Sequence, residues 1–340
     1  QTVTAAGAAT LTKAGGAISL TQTKAAATVS AVSGGTDVTI TATGITTGGS
    51  LTVGGATTAT RPTGEVSVTQ TGATTNAATN SLAITGGTGI TVNSTTTSSA
   101  TINTATNGTI AATGSAATTS VSVTQSAPVA VAVTAGATAE VKNAAGEVTT
   151  AAVAATTARG GVAAGAVTVA DVSAASTTVA NSITDLTLSN YGNSTFAGNA
   201  LTNLSLSGSG GTLSITNKAT TATNPTLALT VSGLSGTNTV TDANNKITTL
   251  NITTGASASN LAGVAATKVT ALTIAGESKL TLSTAGMTAL KTIAVNGNAG
   301  LTSTVALPGT VTAIDASGTA GANTVTLLST QTSYTGGSGV

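Results

Sequence analysis

The sequence predicts an all-β protein built from stacked coils, and two internal repeats together with an unusual composition support this fold class. In the second half, a hexamer with apolar residues at positions one, four and six occurs six times. In the first half, a strand of alternating apolar and hydroxyl residues occurs three times. Only 6% of the 340 residues are charged and 1% are aromatic. Short strands that recur along a chain are typical of solenoids, in which each coil covers the narrow apolar strip of its neighbour.

Residues 1–165 form the first of two predicted regions and carry the looser repeat. Its three matching strands begin at Ile18, Val66 and Val121 and end in Thr-Gln, with spacings of 48 and 55 residues. Strict alternation predicts strands with one buried face, and Gly pairs between them supply the positive φ that tight turns need. About three Thr-rich β units of ~50 residues result. Each unit fits either a small β-sandwich or two coils of an irregular β-solenoid.

Two segments of this region imitate other structures. Residues 148–158 have the Ala content of a helix, but their Thr and Val and the lack of an amphipathic stripe favour strand or loop. Residues 86–89 read Gly-Gly-Thr-Gly, like a phosphate-binding loop, but the helix and the Lys of such a loop are missing. We therefore predict a hairpin turn at 86–89.

Residues 166–340 form the second region, for which we predict a parallel β-solenoid. The hexamers start 18, 46, 22, 21 and 21 residues apart, and the interval of 46 covers two periods with one degenerate copy between them. Positions four and six face one side of a strand, and a Gly after each hexamer marks the corner of the coil. Second strands are predicted at 213–215, 280–282 and 325–327, which gives coils of ~20 residues stacked ~4.8 Å apart. The hexamers begin at Ile183, Leu201, Ile247, Val269, Leu290 and Val311.

The missing residue types exclude several functions. Without His or Cys, the chain has no Ser-His-Asp triad, no Cys-His pair and no Cys/His zinc site. Nine acidic residues are present and no two lie within five residues of each other, so we predict that the protein is not an enzyme. The ten basic residues are scattered, which argues against nucleic-acid binding. No run of 18 apolar residues exists, so we predict no membrane span.

The Gly-rich end of the sequence is a candidate metal site. Gly336, Gly337 and Gly339 match the opening of a nonapeptide repeat whose turns bind calcium. The Asp that follows in that repeat would come after residue 340, so we expect calcium-binding repeats further along a longer protein. We assign no cofactor within residues 1–340 and expect that calcium takes part in assembly.

Several segments together show a resemblance to a known family. They are the three Thr-Gln strands, residues 166–172, 183–192 and 284–292, and the Gly-Gly-Ser-Gly end. The chain resembles the Thr/Ala-rich β-strand-repeat surface proteins of Gram-negative, especially betaproteobacterial, cells, many of which are S-layer or RTX-like exported proteins. The resemblance covers most of 120–340 and is looser over 1–120. It implies type I-like export and a calcium-dependent lattice on the cell surface, but no calcium ligand can be carried over.

These observations favour a structural protein of the bacterial cell surface. We expect an extracellular, self-assembling subunit of an S-layer or a related sheath or filament. Its expected partners are copies of itself, with cell-surface polysaccharide as a second candidate. The alternative is a large repeat adhesin or biofilm-matrix protein that presents a binding site. A polysaccharide-acting enzyme would need a cleft lined by several acids, which the sequence does not predict.

Overall fold

The computed structural model describes residues 1–13, 15–23, 29–45, 49–72, 81–96, 105–127, 129, 139–152, 161–220, 224–331 and 333–339. These ranges contain 31 strands and a single turn of 3₁₀ helix at Thr58–Thr60. The first sixteen strands are β1 (Thr2–Ala5), β2 (Thr10–Lys13), β3 (Ile18–Gln22), β4 (Val29–Gly34), β5 (Val38–Ile45), β6 (Ser50–Val53), β7 (Val66–Gly72), β8 (Ser81–Thr85), β9 (Gly89–Thr96), β10 (Ala105–Thr106), β11 (Thr109–Thr113), β12 (Ser120–Gln125), β13 (Val141–Lys142), β14 (Val148–Thr150), β15 (Val162–Ala163) and β16 (Val167–Ala170). The other strands are β17 (Asp185–Tyr191), β18 (Ser194–Ala197), β19 (Asn203–Gly210), β20 (Thr212–Thr216), β21 (Thr226–Ser235), β22 (Thr239–Asp242), β23 (Thr249–Thr254), β24 (Ser259–Leu261), β25 (Gly263–Ala265), β26 (Ala271–Gly276), β27 (Leu280–Leu282), β28 (Thr292–Gly297), β29 (Leu301–Ser303), β30 (Ala313–Thr319) and β31 (Ser333–Thr335).

Two long parallel sheets dominate the architecture. Sheet 1 contains fourteen strands in the order β1-β3-β5-β7-β9-β12-β17-β19-β21-β23-β26-β28-β30-β31. Sheet 2 contains ten strands in the order β2-β4-β6-β8-β11-β16-β18-β20-β22-β25, and sheet 3 contains β24, β27 and β29. Up to β25, strands of sheet 1 are followed in the chain by strands of sheet 2, so the chain winds between the sheets. The protein is therefore a parallel β-solenoid, as predicted for its second half.

The first half is also part of this solenoid. Val38 of β5 pairs in parallel with Ile18 of β3 on one side and with Val66 of β7 on the other. A sandwich would instead place antiparallel strands side by side. Because β3 and β7 are separated by one strand of sheet 1, the unit of ~50 residues spans two coils. The pairing of β12 with β17 crosses position 165, and the division into two regions at that position stays a prediction.

The hexamers of the second half lie in sheet 1 with positions four and six buried. Leu186 and Leu188 of β17 pair with Leu204 and Leu206 of β19. The predicted degenerate copy is β21. Its residue Leu229 pairs with position four of the hexamer in β19 and with position six of the hexamer in β23. The register therefore shifts by two residues across β21. A shift of two keeps every inward side chain inward, because side chains alternate between the two faces of a sheet.

A buried polar column explains why the first half repeats every second coil. Gln22 and Gln125 are buried at the ends of β3 and β12, and Gln70 is buried two residues before the end of β7. In the coils between them, the same position holds the smaller residues Ala42 and Ser94. The Gln70 Nε2 group donates a hydrogen bond to Ser94 Oγ at 2.9 Å. Long and short side chains thus alternate along the column, which leaves room for each Gln.

One excursion leaves the solenoid between β12 and β15. Val129 and Val162 exchange backbone hydrogen bonds of 2.9 and 2.8 Å, which close the base of the excursion. Above this base, β13 and β14 form an antiparallel hairpin, and residues 139–152 are all exposed. Within the described ranges the single ion pair is on this hairpin, between Lys142 Nζ and Glu140 Oε1 at 2.9 Å.

Three local predictions have different outcomes. The predicted hairpin turn at 86–89 is wrong, because these residues connect β8 of sheet 2 to β9 of sheet 1 and so form a corner of the solenoid. The predicted strand at 325–327 is also wrong, since the chain there makes only an isolated bridge between Thr302 and Thr324. In 148–158, β14 agrees with the prediction of strand or loop, and residues 153–158 lie outside the described residues.

Candidate functional site

The outer face of sheet 1 carries two aligned rows of small polar side chains. Eight consecutive strands, from β3 to β21, each contribute two outward residues that are two positions apart, and the parallel register aligns them from strand to strand. All but one are Ser or Thr, and none is charged. We call this surface the hydroxyl array; it consists of Ser19, Thr21, Thr39, Thr41, Ser67, Thr69, Thr91, Asn93, Ser122, Thr124, Thr187, Ser189, Ser205, Ser207, Thr230 and Ser232.

The array follows from the period-2 pattern of the strands. In β12, Val121 and Val123 are buried in the core, so Ser122 and Thr124 between and after them face outward. Neighbouring strands lie ~4.8 Å apart and alternate residues of one strand ~6.6 Å apart. Eight strands with this pattern form a regular grid of hydroxyl groups about 34 Å long.

The hydroxyl groups of the array are available to another molecule. Within the part of the chain that the structure describes, their one side-chain hydrogen bond runs from Asn190 Nδ2 to Ser189 Oγ, at 3.5 Å. A hydroxyl group can both donate and accept hydrogen bonds. The corresponding outward row of sheet 2 is less uniform, since Ala31, Ala83 and Ala111 interrupt its hydroxyl groups. The array is therefore the surface with the most repeated hydrogen-bonding capacity.

The two acids at outward hexamer positions, Asp185 and Asp315, lie far apart. Both face outward, on β17 and β30, which are six strands apart in sheet 1. Asn203 Nδ2 donates to Asp185 Oδ1 at 2.8 Å. Hydrogen bonds from the side chain and backbone of Ser317 lower the pKa of Asp315. Among the described residues, no group of three or more Asp or Glu side chains lies close enough to hold a metal ion.

Two buried acids are features that the sequence analysis did not single out. Asp171 Oδ2 accepts hydrogen bonds from the backbone N–H groups of Ser182 and Ile183, at 2.7 and 3.0 Å. This carboxylate closes the loop that leads into β17. No sequence signal marks Asp171, because its partners are eleven and twelve residues away.

Asp242 is the second buried acid, and it borders a cavity of about 20 Å³. Its Oδ2 atom accepts a hydrogen bond from the Ile247 N–H group at 2.7 Å, whereas Oδ1 has no partner among the described residues. Asn217 and Lys246 also line the cavity, which has room for one water molecule. The alternation of β22 could have revealed Asp242, since it occupies an inward position beside Ile215.

The Gly-rich corner at 86–89 uses its N–H groups within the fold. The N–H groups of Gly86, Gly87 and Thr88 donate to backbone carbonyls at 2.8–2.9 Å. Gly86 and Gly87 have φ of 106° and 90°, which explains why Gly occupies these positions. A phosphate-binding loop needs free N–H groups that point at the ligand, and these three are occupied.

The predicted calcium-repeat residues lie after β31. Gly336 is exposed, whereas a Cβ atom on Gly337 would collide with the carbonyl oxygens of Ala316 and Thr319. A Cβ atom on Gly339 would likewise collide with a carbonyl oxygen of the preceding coil. Close packing thus explains two of the three glycines, and the calcium assignment stays a prediction.

Comparison with models of known protein families and with curated proteins finds no match. In the part of the chain that the structure describes, no helix has the length and apolar character needed to cross a membrane.

Proposed function

We propose that this chain is a structural subunit of a bacterial surface layer, or of a related extracellular sheath or filament, and that it works by packing against copies of itself. The observation that supports this proposal is the fourteen-stranded parallel sheet with the hydroxyl array on its outer face. Strands stacked ~4.8 Å apart give a body about 62 Å long. Such a body presents repeated, nearly uncharged faces on which identical copies can pack.

The charge distribution favours association of like copies. The chain has ten basic and nine acidic residues, so its net charge is +1. A net charge far from zero keeps proteins apart through mutual repulsion, and this chain lacks that repulsion. The extracellular location and a contribution of calcium to assembly are parts of the same proposal, and they rest on the family resemblance of the sequence.

Electron microscopy of the purified chain tests the proposal. Negative-stain images of samples with calcium should contain ordered sheets or fibres, and samples with a calcium chelator provide the comparison. If the protein stays monomeric with calcium at every concentration tested, the proposed function is wrong.

A large repeat adhesin is the second candidate, because of the hairpin formed by β13 and β14. Val141 and Val148 of this hairpin are about half exposed, and an apolar surface on an inserted loop suits a binding site. Imaging the cell surface separates the two functions, since an adhesin should appear as isolated stalks and a surface layer as a regular lattice. Deleting residues 139–152 should leave assembly intact in a surface-layer subunit, whereas it should remove ligand binding in an adhesin.

A further inference from the structure

We infer that two copies of this chain pack with their hydroxyl arrays face to face and their solenoid axes antiparallel, about a two-fold axis that runs along the strand direction through the centre of the array. This inference rests on the proposed function and names the contact surface of the assembly. The hydroxyl arrays contact each other directly, and the loops of the solenoid remain free for other contacts.

The array is complementary to itself in both chemistry and spacing. A two-fold interface requires one patch that fits a second copy of the same patch. Hydroxyl groups meet this requirement because each can donate to or accept from its counterpart. The two rows also have the same ~4.8 Å period in both copies, so contacts made at one strand are repeated along the array.

The area of the face suits a stable dimer. A standard interface buries about 800 Å² of each partner. The array is about 34 Å long, and the face of sheet 1 is about 20 Å wide for strands of six residues, which gives roughly 700 Å² on each copy. The small side chains of the array allow two sheets to approach to ~10 Å or less, the separation of packed sheets.

The composition of the array argues against other classes of partner. It has no Lys or Arg to bind phosphate groups and no Asp or Glu to bind basic peptides. It has no aromatic side chain on which sugar rings or bases could stack. A second copy needs none of these groups, because a hydroxyl group can donate to another hydroxyl group or accept from it.

A matched pair of charge substitutions tests the interface. Thr124→Lys places a cation near the centre of the array, whereas Thr168→Lys places one on the outward face of sheet 2. Both residues are exposed: Thr124 lies on β12 of sheet 1 and Thr168 lies on β16 of sheet 2. Like charges that face each other across an interface repel, so Thr124→Lys should raise the dimer dissociation constant about tenfold or more. Thr168→Lys and Thr124→Ser should leave it unchanged in sedimentation velocity experiments.

Crosslinking tests the antiparallel arrangement. The chain contains no Cys, so introduced thiols report only designed contacts. Ser67 and Thr187 lie on the third and sixth strands of the array, and the two-fold axis places one opposite the other. A bis-maleimide that spans the ~10 Å between packed sheets should link a mixture of Ser67→Cys and Thr187→Cys copies. Neither variant alone should be linked, because its two thiols are about 14 Å apart along the sheet.

The outcomes separate this inference from the proposed function. If the unaltered chain is monomeric with calcium, the proposed function fails and the inference fails with it. If the unaltered chain assembles and Thr124→Lys assembles equally well with a native circular dichroism spectrum, only the inference fails. Crosslinks in either single-variant sample, or no crosslink in a mixture that assembles, would exclude the antiparallel arrangement.

Discussion

Replacing Phe196 by Ala removes the largest apolar side chain from the interior of the solenoid. Phe196 is 0% exposed, and its strand neighbours in sheet 2 are Val169 and Ile215. The backbone of Gly198 lies so close that a Cβ atom there would be 2.9 Å from the ring. Truncation of a buried Phe to Ala costs about 3–5 kcal/mol, from lost burial and from the cavity that remains. Since natural domains are stable by about 5–15 kcal/mol, this loss should be large.

Urea unfolding followed by circular dichroism measures this loss. With an m-value of roughly 2 kcal/mol/M, the urea midpoint of Phe196→Ala should fall by about 2 M. The control is Thr195→Ala, an exposed position on the same strand, which should change stability by no more than about 0.5 kcal/mol. Each solenoid coil contacts only its neighbours, so hydrogen exchange should increase most in β16, β18 and β20. Equal, small shifts for both variants would refute the placement of Phe196 in the core.

Three further predictions concern buried groups and backbone conformation. Burial raises the pKa of Tyr191, whose hydroxyl group has no partner within the described ranges. Above pH ~10 the unfolded chain loses the hydroxyl proton while the folded chain keeps it, so the stability of the fold decreases as pH rises. Tyr191→Phe should make this decrease smaller. Urea unfolding at neutral pH and at pH ~11 checks this, and an equal fall in both proteins contradicts it. In thermal unfolding, Gly54→Ala should destabilise the fold far more than Gly146→Ala. Both glycines have positive φ, but a Cβ atom on Gly54 would collide with the Thr85 carbonyl oxygen, whereas a Cβ atom on Gly146 would meet no other atom. Asp242→Asn should leave stability equal or higher, because it removes a buried charge with one unpartnered oxygen; a loss of more than about 1 kcal/mol contradicts this.

The strands were predictable because they depend on local patterns. The alternation around Val121 and Val123 identifies a half-buried strand, and the recurring hexamers identify parallel coils. The sequence did not show that the ~50-residue repeat covers two coils. That relation depends on the small side chain of Ala42, which lies in the coil next to Gln22. Only the register between distant strands reveals that relation.

The candidate site depended on register even more strongly. The array joins residues from Ser19 to Ser232, which align only once the pairing of eight strands is known. The sequence shows which Thr and Ser residues face outward within each strand. It does not show that these residues align in two rows across the sheet. The inward position of Asp242 was predictable in principle, since this residue takes the place of an apolar one in the alternation of β22. Its hydrogen bond from the Ile247 N–H group was not predictable, because it depends on the path of the loop.

Cryo-electron microscopy of assemblies formed by the full chain with calcium tests the central claim most directly. We predict ordered sheets or filaments in which stacked parallel coils are the repeating body and neighbouring copies contact each other through the outer face of sheet 1. Single molecules at all concentrations, or an ordered assembly in which that face contacts only solvent, would contradict this account.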